Sequence, residues 1–192
     1  PTHSGNYDIS YLRCIPNIIL MTPADEDETR KLLTTAYEFK GPAAVRYPRG
    51  SGPNSTVDQD LSSIEIGKAR IIRKGENKVI FLNFGSLLHE AKIVSEKLNL
   101  TLIDMRFVKP LDKEVLREYL SEASMFVSLE DGSIAGGAGS AVQEFCSEEN
   151  ILIQSKLFGI PDKFIEHSTR EEMIRECGLN ATSLEEAIKS YC

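Results

Sequence analysis

The sequence has 192 residues, 41% hydrophobic and 27% charged, a mix that excludes an intrinsically disordered chain and suits one large domain or two small ones. No apolar run reaches the ~20 residues of a bilayer-crossing helix, and the opening residues do not read as a signal peptide. The formal charge of −7 is concentrated, since residues 112–192 carry seven basic against sixteen acidic side chains; that acidity argues against nucleic acid or an anionic membrane as the main partner.

Pro1-Thr2-His3-Ser4-Gly5 reads as part of a polar loop of a longer protein. Asn17 to Pro23 is a short apolar run closed by proline, the pattern of a buried strand. Asp25 stands three residues before Glu28, a capping-box spacing, and predicts a helix that Gly41-Pro42 ends. Ala43 to Tyr47 reads as the next strand, so residues 17–47 form one βαβ unit. Residues 50–63 are rich in Gly, Ser, Asp and Pro, a linker composition that places a domain boundary there. Beyond it, strands are expected at 69–73 and 79–83, joined by a hairpin-like turn over Lys74 to Asn77, with one of them antiparallel. A helix at 86–98, a strand at 102–105 and a helix from Asp112 follow. A strand at 125–129, a helix at 138–148, a strand at 151–153 and helices at 169–177 and 183–191 complete the chain. This alternation predicts a mostly parallel sheet with helices on both faces.

Cys14, Cys146, Cys177 and Cys192 form no C-x-x-C pair and have no neighbouring histidines for a zinc site, so they read as reduced thiols of a cytoplasmic protein. The Gly136-Gly137-Ala138-Gly139-Ser140 turn lies where a phosphate could meet a helix N-terminus, but it lacks the G-x-G-x-x-G spacing. Its ordinary reading is a tight strand-to-helix turn with close packing. Arg46 and Arg49 lie on a loop at the carboxyl end of a strand, the edge where open α/β sheets bind ligands. An extended segment turns residues 46 and 49 to opposite faces, so one of them reaches an anionic ligand while the other suits a structural ion pair. His3 is in a loop where an imidazole can exchange protons near neutral pH, although a lone loop histidine is as readily a surface residue. His89 and His167 read as structural.

Six motifs taken together resemble the 1-deoxy-D-xylulose 5-phosphate synthases, transketolase-like thiamine-diphosphate enzymes. They are Pro1-Thr2-His3, Asp8-Ile9-Ser10-Tyr11-Leu12-Arg13-Cys14-Ile15-Pro16-Asn17, Met21-Thr22-Pro23, Ala44-Val45-Arg46-Tyr47-Pro48-Arg49-Gly50, the stretch from Asp104 to Asp112, and the glycine-rich turn. The resemblance implies an α/β fold: residues 1–49 as the end of a pyrimidine-binding domain, 50–63 as a linker, and 64–192 as a transketolase C-terminal-type domain with a mostly parallel sheet and one antiparallel strand. It implies condensation of pyruvate with D-glyceraldehyde 3-phosphate, with release of carbon dioxide, in a homodimeric parent enzyme that uses thiamine diphosphate and Mg²⁺. By the same resemblance His3 is the catalytic, substrate-contacting histidine and Arg49 grips the substrate phosphate. The main cofactor and metal ligands are expected upstream, in the N-terminal portion of the same enzyme, so this chain alone is not expected to be active. Two rivals are another transketolase-family enzyme or 2-oxoacid dehydrogenase β-subunit, and a non-catalytic dimerisation module.

Overall fold

The computed structural model describes residues 4–50, 52 and 59–192. A short helix α1 (Asp8–Leu12) leads to strand β1 (Ile19–Met21), helix α2 (Glu26–Glu38) and strand β2 (Ala43–Val45). β1 and β2 are parallel, with Leu20 opposite Ala44, as the βαβ reading requires. The Asp25 Oδ1 accepts the Glu28 N–H at 2.9 Å and caps α2, and Glu26, Asp27 and Glu28 crowd its first turn, where negative charge favours the helix dipole. The return half of the capping box does not form. The buried Glu28 instead turns its carboxylate toward Arg106 and Arg70, 2.8 and 3.2 Å away.

The rest of the chain builds a second sheet and adds one strand to the first. Its elements are β3 (Arg70–Arg73), β4 (Val79–Phe84), α3 (Leu88–Lys97), β5 (Thr101–Asp104), β6 (Phe107–Lys109), α4 (Lys113–Leu120) and β7 (Met125–Ser133). After these come α5 (Ala138–Glu148), β8 (Gln154–Ile160), α6 (Arg170–Glu176) and α7 (Ala181–Lys189). The five strands run in the order β3-β5-β4-β7-β8, parallel except for β3, which lies antiparallel to β5. All six residues of the central β4 are buried. Phe81 packs with Leu102, Val127, Ala91, Val94, Leu184 and Ile188 on the α3/α7 face. Ile80, Leu82 and Phe84 pack with Leu116, Leu120, Val142 and Phe145 on the α4/α5 face. Helices therefore cover both faces, and each fully buried Leu or Phe contributes about 1.5–3 kcal/mol of burial.

Three details depart from the sequence reading. β3 and β4 form no hairpin, because β5 lies between them. The loop joining them arches over the start of β5, where Asn77 N–H donates to the Asn99 carbonyl at 3.1 Å and Gly75 N–H to Thr101 Oγ1 at 3.0 Å. A strand as apolar as β4 is most stable between two buried neighbours, whereas β3 with its partly exposed arginines suits an edge. Residues 151–153 are not a strand but the end of a helix cap. Asn150 takes φ +57°, Asn150 N–H reaches the Ser147 carbonyl at 3.3 Å, and Ile151 N–H reaches that of Cys146 at 2.8 Å, a Schellman motif closing α5. Ile151 and Ile153 lean on the α4/α5 core while Leu152 is fully exposed, and the strand itself is β8. Finally, β6 was not anticipated. It pairs antiparallel with β1, so the first sheet has the order β2-β1-β6.

Candidate functional site

The carboxyl ends of β2, β4 and β7 bring together side chains from both halves of the sequence. Arg46 follows the last residue of β2, Ser86 precedes α3, Asp131 lies near the end of β7, Asp8 opens α1 and Arg170 opens α6. The Arg46 Nε donates to Asp8 Oδ2 at 3.2 Å, and its Nη1 lies 3.5 Å from Asp131 Oδ2. That same Asp131 oxygen accepts from Arg170 Nη2 at 2.9 Å and from Ser86 Oγ at 3.1 Å. Arg170 also donates to Ser86 Oγ at 2.9 Å. The Arg46 side chain is only 13% exposed, which makes these charge-assisted bonds stronger than surface pairs. Arg49, three residues later, is exposed and pairs with no carboxylate among the described residues. Of the two arginines, Arg46 is therefore the one held in a structural ion pair.

The segment leading to Asp8 lies across the second sheet. Ser133 N–H donates to the Asn6 carbonyl at 2.7 Å, and Ser10 Oγ to that of Ala135 at 2.8 Å. Arg13 reaches the Gly137 carbonyl at 3.3 Å and grips Glu144 with both terminal nitrogens, at 3.0 and 2.5 Å. Tyr7 meets Phe164 edge to face, with centroids 6.3 Å apart. His3, three residues upstream of Asn6, lies outside the described residues. His89 and His167 are exposed.

The glycine-rich turn is occupied from below. The fully buried Glu130 carboxylate accepts the Ala138 N–H at 2.8 Å and the Gly139 N–H at 3.0 Å, at the start of α5. A Cβ at Gly137 would overlap this carboxylate and the Ser133 carbonyl, and one at Gly139 would overlap Ser128 Oγ. The turn is thus a close-packed junction whose helix N-terminus already holds a carboxylate, and it does not fit the diphosphate of a cofactor. Loss of water pushes the Glu130 carboxyl up to about 7, against the pull of its two N–H donors and of Arg46 and Arg13. No group of three or more His, Cys, Asp or Glu among the described residues could hold a metal ion.

A second charged cluster ties α2 to the second sheet. Arg70 bridges Glu28 at 3.2 Å and Asp104 at 3.0 Å, while Arg106 donates to Glu28 at 2.8 Å. The fully buried Asp104 also accepts from Asn83 Nδ2 at 3.2 Å. Burial raises its carboxyl to about 6, chiefly because desolvation outweighs Arg70. Sequence reading missed Asp131, Ser86 and Arg170. The Glu130-Asp131 pair at a strand end was the one local signal, and its partners come from 45 and 39 residues away.

The family described as "Transketolase, C-terminal domain" matches residues 67–184, and "Transketolase, pyrimidine binding domain" matches residues 1–54. The chain is 53% identical over 189 residues to a 1-deoxy-D-xylulose-5-phosphate synthase from Pseudomonas paraeruginosa, which covers 98% of this chain and 30% of that protein. It is 52% identical, with the same coverage, to the synthases of that name from Pseudomonas aeruginosa and Stutzerimonas stutzeri. The chain thus spans under a third of the length of these curated relatives. Among solved structures it is similar to a split-gene transketolase described as an inactive β4 tetramer, with a TM-score of 0.86 at 28% identity, covering 98% of this chain and 62% of that one. A Campylobacter jejuni transketolase shares the fold, with a TM-score of 0.70 at 19% identity over 99% of this chain and 29% of that one. With the family description covering most of the residues, the chain belongs to the transketolase C-terminal domain family.

Proposed function

We propose that the chain is the C-terminal part of a transferase that condenses pyruvate with D-glyceraldehyde 3-phosphate to 1-deoxy-D-xylulose 5-phosphate and carbon dioxide. The observation that carries this reading is the 53% identity to a synthase of that name over 98% of the chain. The parent enzyme would be a cytoplasmic homodimer using thiamine diphosphate and Mg²⁺, with residues 1–49 ending the pyrimidine-binding domain, 50–63 as linker and 64–192 as the C-terminal domain. The carbanion chemistry belongs to the thiamine cofactor. Because the described residues offer no seat for its diphosphate, this chain's residues are given roles toward the substrate alone. Arg49 binds the phosphate of the aldehyde, and His3 exchanges protons with substrate oxygens.

Support for Arg49 comes from the division of labour on its loop. The Arg46 charge is already matched by Asp8 and Asp131, whereas the Arg49 guanidinium is exposed and unmatched among the described residues, and a guanidinium fork suits a phosphate. The test is turnover by the full-length enzyme with thiamine diphosphate. Arg49→Ala should raise KM for D-glyceraldehyde 3-phosphate by about 10- to 100-fold, the loss of one or two charge-assisted hydrogen bonds. KM for pyruvate should stay within about twofold of wild type. Equal changes in both constants would remove Arg49 from phosphate binding, and absence of product from the unsubstituted enzyme would refute the reaction.

A further inference from the structure

We propose that Asp131 is a positioning residue for the aldehyde phosphate: through Arg46 it fixes the loop that carries Arg49, without itself touching substrate. This rests on the reading of Arg49 as the phosphate ligand. Among the described residues the loop has few other anchors. β2 is a three-residue edge strand, and Arg46 N–H, bonded to the Met21 carbonyl at 2.8 Å, makes the last backbone hydrogen bond before Gly50 among the described residues. From there, the orientation of Tyr47 to Gly50 depends on where the Arg46 side chain is held.

Two carboxylates hold that side chain. Asp8 belongs to the short α1, which is itself draped over the second sheet. Asp131 belongs to β7, whose residues 125–129 are paired on both sides, with β4 and β8. Its carboxylate is fixed by Ser86 at 3.1 Å and Arg170 at 2.9 Å. Asp131 is thus the rigid post and Arg46 the arm. Without it, the Arg46 and Arg170 guanidiniums would lose the counter-charge they share, and Arg46 would keep only Asp8. The loop would then sample positions in which Arg49 misses the phosphate.

Simple field electrostatics predicts the opposite sign. Removing a negative charge near an anion site tightens anion binding, by attraction alone. The direction of the change therefore separates positioning from field.

The experiment uses the full-length enzyme with D-glyceraldehyde 3-phosphate and with unphosphorylated D-glyceraldehyde. Asp131→Asn keeps the side-chain shape and removes the charge. The expected result is a roughly tenfold rise in KM for the phosphorylated aldehyde, with kcat and the KM for pyruvate within about twofold and kcat/KM for D-glyceraldehyde unchanged. Arg46→Lys, which keeps the charge but loses the fork that spans both carboxylates, should give the same selective loss. Adding Asp131→Asn to Arg49→Ala should change nothing further, because its effect runs through Arg49. A lowered or unchanged KM for the phosphorylated aldehyde, or equal losses on both aldehydes, would overturn the proposal. If Arg49→Ala itself fails to discriminate between the aldehydes, the phosphate reading falls first and the proposal with it. If Arg49→Ala discriminates and Asp131→Asn does not, the proposal alone falls.

Discussion

Replacing Glu130 by Gln tests how a buried carboxylate at the start of α5 is tolerated. The unfolded side chain loses its proton near 4.5, and the folded one near 7. Between those values the folded state binds more protons than the open state, so stability falls as pH rises. At 1.36 kcal/mol per tenfold step in proton affinity, the full penalty above pH 7 is about 3 kcal/mol, of which about 2.5 kcal/mol accrues between pH 5 and pH 8. The amide of Glu130→Gln keeps the shape without the titration, but its NH2 group cannot accept, so only one of the Ala138 and Gly139 N–H groups keeps its acceptor. The assay is hydrogen exchange, corrected for intrinsic rates, on peptides spanning β7 and the first turns of α5 in the full-length enzyme; it reads local opening whatever the other domains do. Wild-type protection should drop roughly fiftyfold or more from pH 5 to pH 8, as 2.5 kcal/mol dictates. The variant should stay flat with pH, at a level about 1–3 kcal/mol below wild type at pH 5 because one buried N–H loses its acceptor. Equal slopes in the two proteins would refute the assignment of the pH dependence to Glu130, and protection that rises with pH in wild type would refute its direction.

Glu28→Ala leaves Arg106 and Arg70 without the carboxylate they share, and should destabilise the protein by about 3 kcal/mol, measured as lost exchange protection in α2 and β5. Gly75→Ala places a methyl group against the backbone of Asn99 and Leu100, which cannot yield without shifting the start of β5; a loss of about 1–3 kcal/mol is expected in denaturant unfolding. His3→Ala in the full-length enzyme should lower kcat while circular dichroism stays unchanged, and wild-type turnover would make His3 an ordinary loop histidine.

The elements most legible in the sequence were those with a local cause. Asp25 and Glu28 announced α2, whose N-cap bond forms although the return half of the capping box does not, and the apolar run around Ile19 to Met21 announced β1. The elements missed were decided by distant residues. Nothing in residues 69–83 alone says that Thr101 to Asp104 will enter between β3 and β4; that follows from β4 being apolar on both faces and taking a buried partner on each side. The apolar Ile151, Leu152 and Ile153 carry a strand-like composition, but their local role is to close a helix, signalled only by the asparagine before them. At the candidate site, sequence reasoning assigned one of two arginines to an ion pair. It could not name Asp8 and Asp131 as the partners, because they stand 38 residues before and 85 after Arg46 in the chain.

The pairing of β6 with β1 has a consequence for synthesis. Leu20 meets Lys109 across the sheet, so β1 leaves the ribosome almost ninety residues before the strand that covers its edge. At ~5–20 residues per second that is a wait of roughly 4–18 seconds with a buried-type strand exposed on one side. The α2-β2 partner arrives early and shields the other side. The nascent chain therefore passes through a stage in which one apolar edge is open to any extended segment nearby, including one from a second ribosome on the same message.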